Sequence, residues 1–448
     1  MSRYPQKGKG RGQRRRRPKA TVARETLDMT IERLGAQGDG LAQADLMGRS
    51  QNLYVPGALA GEQVRVETCS KRGDGILCEL LEVLSPSDDR TQPSCPHYAQ
   101  CGGCALQHMS TSSYSDWKRE RVVQALRQRG FETPPVLDTI LIGEGTRRRV
   151  TFTALQRGKR LLFGFNARSS HNLVEIDNCP LLVSELNDLI QPMSDAFAAF
   201  LKDGTKARIH VTACENGADV LIECTQDLDL AAREAIASFV QTTSAVRVGW
   251  KQEGQTPEPV VQEVAPLVYL SGVPVELPQG SFLQASVEGE HAIRDGVLAG
   301  VGAGSKRIAD LYSGLGSFTV PLAAQAIVEA YDVIEAPVRA LERAAGRANL
   351  GGRIVASVRD LGRQPLDVKE LSKFDAVVFD PPRAGSGDQM QYLAGSSVAR
   401  VVGVSCNPAT FARDARTLVD GGFELLSVQP IDQFTYSSHV ELVAHFAR

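Results

Sequence analysis

Nowhere does the chain run for about 18 apolar residues, so no stretch of it reads as a membrane-spanning helix. Basic residues at its start continue into polar sequence without an apolar core, which excludes a secretory signal and implies a cytoplasmic protein. The cysteine count is nine, an odd number in a chain without an export signal, so a framework of disulfides is excluded. Residues 1–24 hold no Asp or Glu at all, against ten Lys and Arg. No internal repeat is visible.

What is present has the composition of a soluble globular protein, 42% hydrophobic and 23% charged. At 448 residues the chain exceeds what one core can organise, and two to three domains are expected. The net charge of −2 hides an uneven distribution. With ten of the 50 basic residues in the first 24, the remainder carries 40 against 52 acidic ones, a net of −12. The block Arg14-Arg15-Arg16-Arg17 reads either as a solvated tail or as a phosphate-binding arm for nucleic acid.

Four regions follow from the pattern. Residues 1–24 are the basic tail. Residues 25–86 show short alternating strands, Thr26–Ile31, Asn52–Val55, Gln63–Thr68 and Ile76–Leu84, with Gly35, Gly38, Gly40 and Gly57 as turns between them. That suits a small β-barrel of oligonucleotide-binding type. Residues 87–275 mix a cysteine group, an amphipathic helix around Asp116–Gly130 and strand-like runs. One of these, Thr146–Val150, carries three arginines and reads as a track for a phosphate backbone or as an edge strand guarded by charge. Residues 276–448 alternate apolar strands with helices, which implies a mostly parallel sheet.

Cys69, Cys78, Cys214 and Cys224 lie in strand-like stretches and read as small core residues. Cys95, Cys101 and Cys104 stand in the spacing C-x5-C-x2-C, and Cys179-Pro180 follows far downstream. Zinc sites more often show two short-spaced pairs. Three clustered thiolates plus a remote one before proline suit an iron–sulfur cube better.

The cofactor signal lies in the last region. Ile308–Phe318 reads as a strand, a glycine turn and the start of a helix. Gly314 and Gly316 allow close backbone approach to a ligand, but Thr319 stands where the dinucleotide fingerprint wants a third glycine. Asp310 is expected to end the first strand, where an acid suits a cationic ligand. Glu335 is expected to end the second strand, Ile327–Ile334, where it can grip a ribose diol. Asp360 is expected to end the third and to meet an adenine edge. Three acids at successive strand ends look like an S-adenosylmethionine site. Asp380-Pro381-Pro382 after the fourth strand resembles motifs of methyltransferases acting on exocyclic amines of bases. Those enzymes need no thiol. Here Cys406 ends the next strand before Asn407-Pro408, which points to a carbon acceptor. At the mouth of the crevice this thiol is expected to ionise more readily than one in a core. Glu441, in an otherwise apolar strand, reads as functional or as half-exposed on an edge.

With these residues in hand, the chain resembles the RNA uracil-5 methyltransferase family, most closely its iron–sulfur, TRAM-domain branch acting on 23S ribosomal RNA. The resemblance covers nearly the whole chain after the tail. Tyr54–Glu62 is similar to the TRAM signature, and Phe282-Leu283-Gln284 to a motif whose glutamine contacts the methyl donor. Ser286 and Ser317 stand where the family often has asparagine. The resemblance implies an α/β fold: a Rossmann-like class I methyltransferase domain (276–448), an OB-like TRAM barrel (25–86), and a central α+β iron–sulfur domain that binds RNA (87–275). It implies a 4Fe-4S cluster on Cys95, Cys101, Cys104 and Cys179, and donor contacts from Gln284, Tyr312, Ser317, Glu335, Asp360 and Asp380. Cys406 falls on the nucleophile and Glu441 on the proton-abstracting base. Ribosomal RNA is the expected partner and tRNA the alternative. No membrane is involved, and nothing points to an obligate dimer, so a monomer is expected.

Overall fold

The computed structural model describes residues 22–448 apart from Met47 and Ser169, so the Arg14–Arg17 block lies outside the described residues. The chain separates into two compact units, one ending at Asp88 and one spanning Asp89–Arg448.

In the first unit, β1 (Thr26–Thr30), β2 (Arg33–Leu34), β3 (Gly40–Leu46), β4 (Arg49–Val55), β5 (Gln63–Arg72) and β6 (Gly75–Ser85) form one sheet in the order β1-β5-β6-β4-β3-β2. The segment Thr26–Leu34 pairs with β5 at its start and with β3 at its end, so both edges belong to one bent stretch and the sheet closes into a barrel. Alternate residues such as Val64, Val66, Leu53 and Val55 fill its interior, the period-2 pattern of strands with one apolar face. Gly40 is not a turn residue but opens β3. A Cβ there would stand 2.9 Å from Ile31 and 3.1 Å from Ala58, so the strand crosses too closely for a side chain.

The second unit begins with the cysteine segment and α1 (Thr111–Arg127), which starts earlier than the amphipathic pattern suggested because the Ser110 hydroxyl caps it. After β7 (Ile140–Leu141) come β8 (Arg149–Arg157), β9 (Arg160–Asn166), β10 (Leu173–Glu175), α2 (Ser184–Asn187), α3 (Ile190–Ala198), β11 (Lys206–Cys214), β12 (Gly217–Cys224), α4 (Leu230–Thr242), β13 (Ala245–Lys251) and β14 (Glu258–Gln262). Their seven strands make a sheet ordered β10-β9-β8-β11-β12-β13-β14, with α3 and α4 packed on an apolar face built from Phe152, Phe163, Ile209, Val220 and Val248. A hairpin, β15 (Leu267–Leu270) and β16 (Val273–Glu276), leads on to α5 (Val287–Val301).

The remaining elements are β17 (Arg307–Leu311), α6 (Thr319–Leu322), β18 (Ile327–Asp332), α7 (Glu335–Arg347), β19 (Ile354–Val358), α8 (Val368–Leu371), β20 (Ala376–Phe379), α9 (Gln389–Ala394), β21 (Arg400–Ser405), α10 (Pro408–Asp420), β22 (Glu424–Asp432) and β23 (Glu441–Ala447). They form an eight-stranded sheet ordered β19-β18-β17-β20-β21-β23-β22-β7. Strands β17 to β21 are mutually parallel, whereas β23 runs antiparallel between β21 and β22. Residues on these strands alternate between two cores, Ile308, Val378 and Val402 on the α5/α7 side, Ala309, Val377 and Val401 on the α1/α10 side. A sheet buried on both faces explains the near-continuous apolar strands. Two elements of residues 87–275, β7 and α1, belong to this sheet and its helical cover. The strand order reverses on either side of β17, which opens a crevice at the carboxyl ends of β17 and β20.

Candidate active site

The loop leaving β17 is a tight bend. Tyr312, Gly314 and Gly316 have φ of 64°, 54° and 94°. At Gly314 an added Cβ meets nothing within 4 Å, but at Gly316 it would stand 2.6 Å from Leu341 of α7. The loop is therefore pressed on the helix at Gly316 and open at Gly314. Asp310 does not reach the crevice: fully buried, its Oδ2 accepts the Thr319 hydroxyl at 2.5 Å, and burial pushes its carboxyl up to about 7. It ties the strand to α6 under the loop rather than facing a cation.

The acid at the end of β18 is Asp332, not Glu335. Asp332 accepts Gly314 N–H at 2.9 Å and Ile334 N–H at 2.8 Å, and so fixes the glycine loop. Glu335 lies in the first turn of α7 with 70% of its side chain exposed, paired to Arg339. The strand ends two residues early, and Val333 and Ile334 beyond it, though apolar, are exposed. Asp360 lies two residues beyond β19 and caps its own loop, accepting Gly362 and Arg363 N–H. Ser317 is half-buried in the glycine loop.

On the other side of the crevice, the register Ser405↔Leu442 sets Cys406 and Glu441 side by side at the ends of β21 and β23. Asn407 caps α10 through Ala409 N–H and donates to the Arg383 carbonyl at 3.1 Å, so the turn after Cys406 and the Asp380–Arg383 loop are tied together. Glu441 is 4% exposed and central in the sheet, not half-exposed on an edge. Burial pushes both Glu441 and Asp380 well above the usual carboxylate range, and each opposes ionisation of the other. Burial likewise raises the Cys406 thiol, to about 11, with Glu441 and Asp380 adding to the rise and Arg383 opposing it. The expected easy ionisation is thus reversed: the thiol is half-buried among carboxyls. Burial lowers His439 to about 4, and it faces Arg383 at 3.3 Å as a neutral imidazole.

Gln284 enters from the loop before α5. That loop is held by the arginines expected to meet RNA. Arg148 is buried, pairs with Glu290 at 2.5 Å and donates to the Gln284 carbonyl; Arg149 donates to the Leu283 carbonyl. They bind the protein's own chain. Ser286 caps α5 by accepting Gly289 N–H at 3.0 Å, as an asparagine would.

The match of a family model described as tRNA (uracil-5-)-methyltransferase spans residues 352–448. Over 94% of its length the chain is 41% identical to all of an uncharacterized RNA methyltransferase of Caulobacter vibrioides. It is 30% identical, over 96% of its length and 98% of the relative's, to the 23S rRNA (uracil(1939)-C(5))-methyltransferase RlmD of Aeromonas hydrophila. The chain belongs to the RNA uracil-5-methyltransferase family. It is an enzyme that methylates RNA. The methyltransferase shares its fold with the tRNA (uracil-54, C5)-methyltransferase of Pyrococcus abyssi, solved in complex with S-adenosyl-L-homocysteine (TM-score 0.71, 21% identity, 94% of this chain and all of that one).

In this methyltransferase the four cysteines Cys95, Cys101, Cys104 and Cys179 are free and gather at one place, where burial raises Cys101, Cys104 and Cys179 and neighbouring sulfurs add to the rise. Asn187 holds Cys179 by its backbone N–H and carbonyl. Gly102 passes under Asn166 so closely that a Cβ would stand 2.9 Å from its carbonyl oxygen. Just beyond Cys104, Ala105 and Leu106 donate to the Tyr436 carbonyl at 2.7 and 3.1 Å. Tyr436 (φ 58°) sits in the loop between β22 and β23. That loop is further held by a buried group: Lys118 reaches Asp432 at 2.7 Å and donates to the His439 carbonyl, and Tyr114 donates to Asp432 at 2.5 Å. Reading the sequence missed Asp332, Arg383, Lys118, Asp432 and Gln433. Only the polar pair Asp432-Gln433 at the end of an apolar strand marked the last two.

Proposed function

We propose that the enzyme methylates carbon 5 of a uridine in structured RNA, 23S rRNA in the first place, through a covalent bond between Cys406 and carbon 6. The observation that carries this is the adjacency of a thiol and a buried carboxyl at the mouth of the crevice. An exocyclic amine, itself a nucleophile, needs neither group, which disfavours amino-directed methylation. The ribosomal target rests on the relative named for 23S rRNA; a tRNA target is the alternative, favoured by the description of the matching family model.

Carbon 5 of the neutral uracil ring is a poor nucleophile. The Cys406 thiolate forms an S–C bond to carbon 6, and the carbon 5–carbon 6 electron pair is released towards carbon 5 and the adjacent carbonyl. Carbon 5 attacks the sulfonium methyl, whose bond to sulfur breaks, and S-adenosylhomocysteine leaves. Glu441 takes the hydrogen of carbon 5 as a proton, the double bond re-forms, and the thiolate departs. Burial, and with it the two neighbouring carboxyls, holds Cys406 as a thiol; its proton is lost to solvent before the attack, and Arg383 favours that loss. Asp380, rigid before Pro381-Pro382, orients the base edge. Asp332 takes the ribose-gripping place first given to Glu335, while Gln284, Tyr312, Ser317 and Asp360 line the donor side. Carbon 6 is hidden in a stacked helix, so the uridine is flipped out or lies in a loop. The barrel of β1–β6, read as a TRAM domain, supplies sequence-tolerant grip on RNA.

Cys95, Cys101, Cys104 and Cys179 would hold a 4Fe-4S cluster. Among the described residues no three of these sulfurs lie mutually within 4.8 Å. One tetrahedral zinc draws its sulfurs to about 3.8 Å apart, and a cube keeps them wider. The cluster would act as a covalent cross-link between the segments at Cys95–Cys104 and Cys179, since methyl transfer needs no electron from it.

The test offers 5-fluorouridine-substituted 23S rRNA fragments and tRNA with donor. Fluorine cannot leave as a proton, so the methylated adduct is trapped, and a protein–RNA band that survives denaturation is expected with the ribosomal fragment. Absence of the band with both RNAs refutes the covalent mechanism; a band with tRNA alone moves the target.

A further inference from the structure

We infer that Gln433 is a positioning residue of the methyl transfer, locking the side chains of Gln284 and Glu441 into one arrangement through its carboxamide. This deepens the function proposed above and rests on its assignment of Gln284 to the donor and Glu441 to the base.

Gln433 is 4% exposed and follows the last residue of β22. Its Oε1 accepts the Ala285 N–H at 3.0 Å, and its Nε2 donates to Gln284 Oε1 at 2.7 Å and to Glu441 Oε2 at 2.9 Å. A carboxamide has two N–H groups, and both are committed. Turning the amide over would set its oxygen against two acceptor oxygens and its N–H2 against a donor, so one orientation alone satisfies the site. The backbone is equally fixed. The neighbouring Asp432 is anchored by Lys118 and Tyr114, and Ile431 pairs with Glu441 in the sheet. On α5, Gly289 leaves the room the side chain needs: a Cβ there would stand 2.7 Å from Gln433 Cβ.

Two consequences follow for the chemistry. With its carbonyl oxygen turned to Gln433, Gln284 presents its N–H2 end to a ligand. With Oε2 held, Glu441 cannot rotate away from the position beside Cys406. The same bond favours the carboxylate form of Glu441, the form a base needs. The other groups facing Glu441 are Asp380 and Cys406, which disfavour a negative charge there, and Arg383, which favours it. Gln433 is thus a neutral group that joins the donor side of the crevice to its proton-abstracting side.

The test compares wild type with Gln433→Met, which keeps the length and loses every polar contact, and Gln433→Glu, which keeps the shape. Loss of a buried hydrogen bond to a charged group shifts an equilibrium on the order of tenfold. In Gln433→Met the KM for S-adenosylmethionine is expected to rise about tenfold and kcat to fall by at least as much. The rise of kcat with pH is expected to move about one unit towards alkaline pH, and adduct with unsubstituted RNA is expected to accumulate because proton removal has slowed. Gln433→Glu places a third acid beside Glu441 and Asp380 and shifts the pH profile in the same direction. A folded variant with wild-type pH profile and donor KM overturns the inference, and so does failure of both variants to fold, which would mark a structural role alone. Trapping of 5-fluorouridine RNA by wild type is the control. If wild type traps and the variants behave as wild type, the positioning role fails by itself; if wild type does not trap, the proposed mechanism fails first.

Discussion

Replacing Lys118 by Met tests how the loop between β22 and β23 is held. Lys118 and Asp432 are both fully buried, 2.7 Å apart. Burial pulls the Lys118 amine down and the Asp432 charge holds it up. Removing the amine leaves a carboxylate without solvent and with the Tyr114 hydroxyl at 2.5 Å as its remaining side-chain donor. Breaking one side of a buried pair costs about 3–5 kcal/mol. At a urea slope of about 3 kcal/mol per M, the unfolding midpoint of Lys118→Met falls by roughly 1–1.7 M. Tryptophan fluorescence reads the transition, because Trp117 adjoins Lys118 in α1. Asp432→Asn loses a similar amount, and the double variant Lys118→Met/Asp432→Asn recovers most of it, since no charge is then left unpaired. Turnover behaves differently. The His439 carbonyl loses its donor in every variant lacking Lys118, so Glu441 is displaced, and an ångström of misplacement costs on the order of 10²-fold. Single variants within about 1 kcal/mol of wild type, or a strictly additive double variant, would refute the reasoning.

Asp332→Ala removes the brace on Gly314 and is expected to weaken S-adenosylhomocysteine binding about 10- to 100-fold by calorimetry, while Glu335→Ala, exposed in α7, stays within about twofold. On the proposed mechanism Cys406 must lose its proton before methyl transfer, and burial raises its thiol to about 11. Hence kcat/KM is expected to rise about tenfold per pH unit between roughly pH 6 and 9, and a flat profile contradicts that sign. Gly316→Ala combines a left-handed backbone with a methyl driven into Leu341, so a loss of about 2–4 kcal/mol in a urea melt is expected, whereas Gly314→Ala, with open space around it, loses about 1 kcal/mol. Cys179→Ser is expected to abolish the brown absorbance of anaerobically purified protein, and Cys69→Ser, in the barrel, to leave it unchanged; colour in both variants argues against Cys179 as a ligand.

The parallel sheet was legible because both of its faces are buried and its strands read as apolar runs. Cys406 was legible as a site residue because it ends a strand, where an α/β sheet exposes chemistry, whereas its place beside Glu441 comes from the register Ser405↔Leu442, which the sequence does not display. The end of β18 was not. Val333 and Ile334 continue the apolar run past the strand, and hydrogen bonds from the loop, absent from any sequence pattern, decide that Asp332 is the acid at its tip. Arg147–Arg149 misled in the opposite sense. Three adjacent charges suggest a surface, yet at least Arg148 and Arg149 are spent on backbone carbonyls of the Gln284 loop. Beyond its place after an apolar strand Gln433 carries no signal, because Gln284 and Ala285, two of its three partners, lie 149 and 148 residues away.

Those distances bear on how the site comes into being. Tyr114 and Tyr436 are 322 residues apart, Lys118 and Asp432 are 314, and Gln284 and Gln433 are 149. Loop closure over such spans comes late and all together, since each contact rewards its entropy only when the others are in place. A partly folded chain therefore carries Cys406 as an ordinary thiol, lacking Arg383, Glu441 and the amide lock around it. The arrangement around Cys406 is thus a property of the whole folded chain and arrives with the last step of folding.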